Sequence, residues 1–96
     1  MDMLITYDVN TETKEGRRRL YRVAQVCKKY GQRVQLSVFE CSVNEAKLEQ
    51  LRSDLLRIIN KEEDSLRIYR LFGSRQDCLE SYGIDRYVDF SGPMVV

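Results

Sequence analysis

Hydrophobic and polar residues alternate with a period of two near the start of the chain, which predicts a β-strand over residues 3–9. One face of this strand carries Met3, Ile5, Tyr7 and Val9, and the other carries Leu4, Thr6 and Asp8. An acid is unusual in such a strand. Two interpretations of Asp8 stay open here. Its carboxylate serves a metal or a catalytic step at the strand's end, or it accepts backbone N–H bonds in a turn that Asn10 and Thr11 continue.

Two segments repeat their apolar residues with helical spacing. The first runs from Gly16 to Tyr30, after a polar loop over residues 10–15, and Gly31 is its expected stop. The second comes after a capping box in which Ser42 is the N-cap and Glu45 reaches back, and it extends to about Asn60. The expected core positions of the two helices are Leu20, Val23, Ala24, Val26, Cys27 and Tyr30, and Leu48, Leu51, Leu55, Ile58 and Ile59.

Two further strands are predicted, over Arg33–Cys41 and Ser65–Leu71. In the first, Val34, Leu36 and Val38 share a face; in the second, Leu66 and Ile68 face away from Arg67 and Tyr69. The resulting order, β-α-β-α-β, favours an α+β fold with both helices on one face of an antiparallel sheet. This is the ferredoxin-like β-α-β-β-α-β sandwich, which needs four strands. We therefore expect the run over residues 33–41 to bend near Gln35–Ser37, although no glycine marks the bend.

The 96 residues predict a single domain over residues 1–96, with a core over residues 1–72. Residues 86–90 are typical of one more strand, before Gly92-Pro93 and an apolar end. Because the core is complete without this strand, we expect the segment over residues 73–96 to pair with another subunit in a homodimer. The alternative is a fifth strand on its own sheet.

Composition removes several classes of chemistry. The chain has no histidine, which excludes a Ser-His-Asp triad, a Cys-His pair and any His-ligated metal within one chain. The chemistry that remains uses carboxylates, hydroxyls, tyrosines or a hard cation held by oxygen, so Mg²⁺ is the natural cofactor and Mn²⁺ its substitute. Three widely spaced cysteines, at positions 27, 41 and 78, are expected to be reduced and mostly buried. Because the chain has no long apolar run and carries an acid at position 2, we expect neither a membrane segment nor a signal peptide, and a cytoplasmic protein.

The net charge is only +1, but residues 1–41 hold eight basic and five acidic side chains. The run Arg17-Arg18-Arg19, with Arg22, lies at the start of the first helix, where positive charge opposes the helix dipole. An anionic ligand such as nucleic acid would offset that cost, and a solvated face is the alternative. Arg18 and Arg22 are four apart and share a face, whereas Arg17 and Arg19 point elsewhere.

Three motifs together resemble the CRISPR-associated protein two family, the small subunit of the machinery that adds spacers to CRISPR arrays. They are L-I-T-Y-D-V at 4–9, G-Q-R-V-Q-L-S-V-F-E at 31–40 and D-S-L-R-I-Y-R-L at 64–71. The motifs occur in the family's order and spacing, and the resemblance extends across nearly the whole chain.

The resemblance implies a ferredoxin-like fold, a symmetric homodimer and a C-terminal strand exchanged between subunits. It implies that Asp8 faces its twin across the two-fold axis and binds a divalent metal, with Tyr7 beside it in the catalytic site. It further assigns nucleic-acid binding to Arg33 and to the arginines of the first helix, and supporting roles to Ser37 and Phe39. Two carboxylates suit Mg²⁺ better than one, and without a cation between them they would repel each other. No general base is conspicuous; Tyr7 and Glu40 are the candidates.

The sequence thus favours a Mg²⁺-dependent endonuclease of CRISPR adaptation that cleaves RNA or DNA, bridges copies of the CRISPR-associated integrase and holds duplex DNA during spacer integration. One alternative is a non-catalytic adaptor dimer in which the Asp8 pair tunes dimer geometry. Another is a toxin-like ribonuclease of a related ferredoxin-like family.

Overall fold

The computed structural model describes residues 1–88, which form a four-stranded antiparallel sheet with two long helices on one face. The strands are β1 (Asp2–Asp8), β2 (Gly31–Gln35), β3 (Val38–Ser42) and β4 (Ser65–Arg70). The helices are α1 (Lys14–Tyr30), α2 (Glu45–Ile58) and a single turn, α3 (Arg75–Cys78). The strand order β2-β3-β1-β4 with these crossovers is the ferredoxin-like arrangement, so the predicted fold is confirmed.

The core lies between the helices and one face of the sheet. Alternation along β1 is as predicted, because Met3, Ile5, Tyr7 and Val9 are all buried while Asp8 is exposed. Each helix contributes the predicted apolar stripe. The buried helical side chains are Val23, Ala24, Val26 and Cys27 from α1, and Leu48, Leu51 and Leu55 from α2. Cys41 of β3 is buried as well, whereas Cys78 is exposed.

The helix boundaries differ from the sequence prediction at both N-termini. Helix α1 begins two residues before Gly16, because the Thr13 hydroxyl caps it by accepting a hydrogen bond from the Gly16 N–H. The N-cap of α2 is Asn44, whose side chain accepts from the Lys47 N–H, so the prediction of Ser42 as N-cap is wrong. Ser42 is instead the last residue of β3.

The predicted bend near Gln35–Ser37 is confirmed, since Leu36 and Ser37 form a two-residue turn between β2 and β3. The turn interrupts the alternation, and Leu36 is 87% exposed, whereas Val34 and Val38 in the flanking strands are only half-buried. A register shift between Arg33 and Gln35 accompanies it. The hairpin therefore closes through a bulge rather than through a glycine turn.

Gly31 ends α1 as predicted. A glycine is needed there because a side chain would have no room, not because the backbone is left-handed. Its φ of −163° is extended, and its N–H bonds to the Cys27 carbonyl. An added Cβ would lie 2.3 Å from the Glu40 carbonyl oxygen, so only glycine lets the chain pass directly from α1 into β2 beside β3.

The chain after β4 contains α3, which the sequence did not predict, and no strand over Arg86–Val88. The rest of the predicted strand over residues 86–90 lies outside the described residues, and its exchange between subunits stays a prediction. Within the described chain the segment returns to the sheet, where the Gln32 amide bonds both the N–H and the carbonyl of Val88, at 2.8 and 2.7 Å. No helix among the described residues has the length and apolar character needed to cross a bilayer.

Candidate functional site

Asp8 is the last residue of β1, on the sheet face that the helices leave open. Its register partner is Ser65 at the start of β4, whereas the pairing of β1 with β3 ends at Thr6. The carboxylate makes no hydrogen bond or ion pair with any residue in 1–88. The interpretation of Asp8 as a turn-forming residue is therefore wrong: Asn10 supplies that bond, by accepting from the Glu12 N–H at 2.9 Å.

Asp8 is suited to hold a divalent cation, because its oxygens are exposed and uncommitted. It is also alone, since no group of three or more acids or cysteines within the described range is placed to hold a metal. One carboxylate per chain fits a Mg²⁺ site only if a second chain, or a phosphate ligand, completes it.

Tyr7 lies on the opposite face of β1 from Asp8, within the core. Its ring stacks on that of Phe39, with centroids 6.2 Å apart, and its hydroxyl donates to the Leu36 carbonyl at 3.4 Å. Burial raises the pKa of Tyr7 more than hydrogen bonding to Arg33 lowers it. A phenol that is buried, harder to ionise and turned away from Asp8 is a poor general base for a reaction at that carboxylate.

Residues of the second sequence motif, 31–40, pack around Tyr7 and not around Asp8. Phe39 is fully buried, and the Arg33 guanidinium lies over its ring, 5.2 Å from the centroid. Ser37 contributes its backbone carbonyl, which accepts from the Tyr7 N–H at 3.1 Å. The structure thus brings Tyr7, Arg33, Ser37 and Phe39 together around the β2–β3 hairpin, and places Asp8 on the other side of the sheet.

Glu40, the other candidate base, lies on the open face, opposite Leu4 in the register. Its carboxylate is largely enclosed and hydrogen-bonded to the Arg75 guanidinium, which also stacks on the Tyr87 ring at 3.4 Å. Glu40 is therefore paired with a cation, and its register partner, Leu4, lies four residues before Asp8 in β1.

The arginines of α1 differ in what their side chains contact. Arg18 and Arg22 are exposed and make no ion pair with residues 1–88, and the exposed Tyr21 lies between them in the sequence. Arg17 donates to the Thr11 carbonyl at 3.2 Å. Arg19 is directed inward, with a side chain only 14% exposed, and pairs with Asp64 at 2.8 Å and Glu63 at 3.3 Å. We call the exposed surface formed by Arg18, Tyr21 and Arg22 the arginine face.

Two residues of this region are not evident as functional candidates in the sequence. Asp64 belongs to a polar turn by its sequence, yet its side chain is fully enclosed and is the partner of Arg19. Nothing local distinguishes it from Glu62 or Glu63. Tyr21 is the second. It lies outside the apolar stripe of α1, and this position in the sequence indicates that its side chain is exposed.

Comparison with known proteins gives one family. The family model for CRISPR associated protein Cas2 matches residues 1–77. The chain is 56% identical to CRISPR-associated endoribonuclease Cas2 1 of Moorella thermoacetica, and 49% identical to CRISPR-associated endoribonuclease Cas2 of Chlorobaculum tepidum, each alignment covering 100% of both chains. A CRISPR-associated endonuclease Cas2 of Halalkalibacterium halodurans is 45% identical over 99% of both chains.

Solved structures agree with this result. The crystal structure of Streptococcus pyogenes Cas2 superposes with a TM-score of 0.78 at 51% identity, covering 86% of this chain and 100% of that one. A hypothetical protein from Thermus thermophilus superposes with a TM-score of 0.75 at 35% identity, covering 90% and 94% of the two chains. Because the family model matches most of the chain and the first two relatives align over its full sequence, the chain belongs to the CRISPR-associated Cas2 family.

Proposed function

We propose that this protein is a metal-dependent endonuclease of CRISPR adaptation, which cleaves phosphodiester bonds in RNA or DNA and supports the integration of spacer DNA. Relatives that match over their full length are named as endoribonucleases or an endonuclease. The observation that carries the proposal is the Asp8 carboxylate, which is exposed and uncommitted at the end of a strand whose other face is rigidly packed.

In this proposal Asp8 binds Mg²⁺ together with Asp8 of a second copy in a homodimer. A lone carboxylate is a weak Mg²⁺ ligand, and Asp8 is exposed on the sheet face opposite α1 and α2, so a second copy has access to it. A divalent ion held there would stabilise negative charge on a phosphoryl oxygen and lower the pKa of a bound water molecule. The role of Asp8 itself is to hold that charge beside the nucleic-acid backbone.

The arginine face would bind the nucleic acid. Arg18 and Arg22 are free to contact phosphates, and Tyr21, 66% exposed, offers a ring for stacking. Arg19 does not join this surface because its guanidinium is occupied by two acids. The proposed partners are therefore RNA or DNA, a second copy of this chain, and the CRISPR-associated integrase in the cytoplasm.

The test compares wild type with Asp8→Asn on single-stranded RNA and duplex DNA, in Mg²⁺, in Mn²⁺ and in EDTA. We expect cleavage that requires the metal and falls at least about 100-fold in Asp8→Asn. Glu12→Gln is the matched control, because it removes an exposed acid from the adjoining loop without touching Asp8. Cleavage that persists in both EDTA and Asp8→Asn would refute the metal role.

A second candidate, a non-catalytic adaptor that bridges integrase subunits and duplex DNA, is favoured by the surroundings of Asp8. Tyr7 is directed into the core and Glu40 is paired with Arg75, so neither candidate base accompanies the carboxylate. The adaptor predicts that Asp8→Asn leaves spacer acquisition unchanged in cells, while substitution of Arg18 and Arg22 lowers it. Loss of acquisition in Asp8→Asn, with dimerisation intact, would favour the nuclease.

A further inference from the structure

The Asp64 carboxylate has no solvent-exposed surface and lies directly before Ser65, the register partner of Asp8. It accepts four hydrogen bonds. Two come from the Arg19 guanidinium, at 2.8 and 3.3 Å, one from the Asn60 N–H at 2.8 Å and one from the Asn10 N–H at 3.1 Å. Its two oxygens therefore join α1, the turn after α2 and the loop after β1.

The bond to Asn10 links this carboxylate to the candidate metal ligand. Asn10 is two residues beyond Asp8, and the intervening Val9 is buried in the core. Because β3 provides no register partner at Asp8, the backbone on that side depends on the anchoring of Val9 and Asn10. The Asp64–Asn10 bond holds these two residues against α1.

Gly16 independently shows how closely the loop after β1 approaches α1. An added Cβ on Gly16 would lie 1.8 Å from the Asn10 carbonyl oxygen, which is possible only because the loop packs directly on the first turn of the helix. Asn10 is thus fixed through its N–H by Asp64 and through its carbonyl by packing on Gly16, while its side chain accepts from Glu12.

We propose that Asp64 is a positioning residue for Asp8. Held in turn by Arg19, it fixes the end of β1 so that the Asp8 carboxylate is presented at one position on the open face. This inference rests on the proposed function, because it assumes that Asp8 binds a divalent ion. Mg²⁺ tolerates little variation in ligand geometry, and a ligand on a mobile strand end would bind it weakly.

The experiment measures Mn²⁺ binding to the protein without nucleic acid, by the electron paramagnetic resonance signal of the free ion, in wild type, Asp8→Asn and Asp64→Asn. We expect Asp64→Asn to weaken Mn²⁺ binding about tenfold, at the lower end of the effect of residues that orient a metal ligand. The Mg²⁺ concentration for half-maximal cleavage should rise by a similar factor. Affinity for nucleic acid in EDTA should be unchanged.

Glu63→Gln is the matched control, because Glu63 also pairs with Arg19 but makes no bond to Asn10. It should alter Mn²⁺ binding less than about twofold, as expected of an ion pair on the surface. If Asp64→Asn does not fold, Arg19→Lys replaces it, since lysine keeps the charge but cannot donate to both oxygens of Asp64, and an intermediate loss is then expected.

Hydrogen exchange at the Asn10 amide separates failure of this inference from failure of the proposed function. Faster exchange in Asp64→Asn with unchanged Mn²⁺ binding would overturn the positioning role while leaving the metal site in place. Wild type and Asp8→Asn binding Mn²⁺ equally would instead refute the metal site itself, and the positioning role with it. Weaker binding together with faster exchange supports the inference.

Discussion

Tyr7 and Asp8 are adjacent in the chain, but their side chains lie on opposite faces of β1. Tyr7 is 5% exposed and stacks on Phe39 in the core, whereas Asp8 extends from the open face. Because neighbouring residues of a strand alternate between faces, no small movement brings the two groups together. A motif that reads as one site in the sequence is therefore a packing residue followed by a candidate ligand.

Replacement of Tyr7 by phenylalanine should leave cleavage within about threefold of wild type, because the hydroxyl does not reach the face of Asp8. The long bond to the Leu36 carbonyl contributes little, so the free energy of unfolding should fall by about 1 kcal/mol at most. Cleavage assays and urea unfolding check both values. A loss of cleavage as large as that of Asp8→Asn, at normal stability, would return Tyr7 to the catalytic site.

The double variant Arg18→Ala/Arg22→Ala should bind duplex DNA more weakly while keeping the melting temperature of wild type, because both side chains are exposed and unpaired within residues 1–88. For every phosphate that the variant no longer neutralises, the slope of log K against log salt should become shallower by about 0.9. Fluorescence anisotropy at several salt concentrations measures the slope. Arg57→Ala is the control, since Arg57 lies on α2 and pairs with Asp54; an equal loss of affinity there would mean that binding is unspecific.

Much of the fold could be predicted from the sequence because it depends on short-range patterns. Alternation in β1 and the helical stripes of α1 and α2 report directly on burial, and the need for a fourth strand predicted the bend that Leu36 and Ser37 make. The choice of Asn44 over Ser42 as N-cap depends on where β3 ends, which the pairing with β1 decides at Asp2 and Ser42. No local pattern contains that information.

The surroundings of the candidate site were less predictable because they depend on distant contacts. Arg19 meets Asp64 across 45 residues, and Asn10 meets the same carboxylate across 54. In the sequence Arg19 is one of three consecutive arginines and Asp64 is the last of three consecutive acids. Their pairing results from the packing of α1 beside the turn into β4, which appears only once the sheet is assembled.

The three thiols should differ sharply in reactivity. Burial raises the pKa of Cys27 to about 12 and that of Cys41 to about 11, so neither forms a thiolate near neutral pH, whereas Cys78 is exposed. An aromatic disulfide reagent should titrate one thiol per native chain at pH 8 and all three in denaturant. Cys78→Ser should abolish the native reaction. Rapid reaction of a second thiol in the native protein would mean that α1 or β3 opens readily.

Acid should remove the contribution of Asp64 to stability. Burial alone would raise the pKa of this carboxyl, but hydrogen bonds from Arg19 and from the Asn60 and Asn10 backbones outweigh it and lower the pKa below its usual value. A carboxyl whose pKa is lower in the folded state stabilises the protein above its unfolded pKa, about 3.9, and loses that contribution as pH falls through the folded value.

Asp64→Asn should therefore be less stable than wild type by about 2 kcal/mol at pH 7, and the difference should shrink steadily below about pH 4. Urea unfolding followed by circular dichroism between pH 7 and pH 2.5 measures the difference, with Glu63→Gln as the exposed control. A difference that stays constant down to the lowest pH would show that folding leaves the pKa of this carboxyl unchanged.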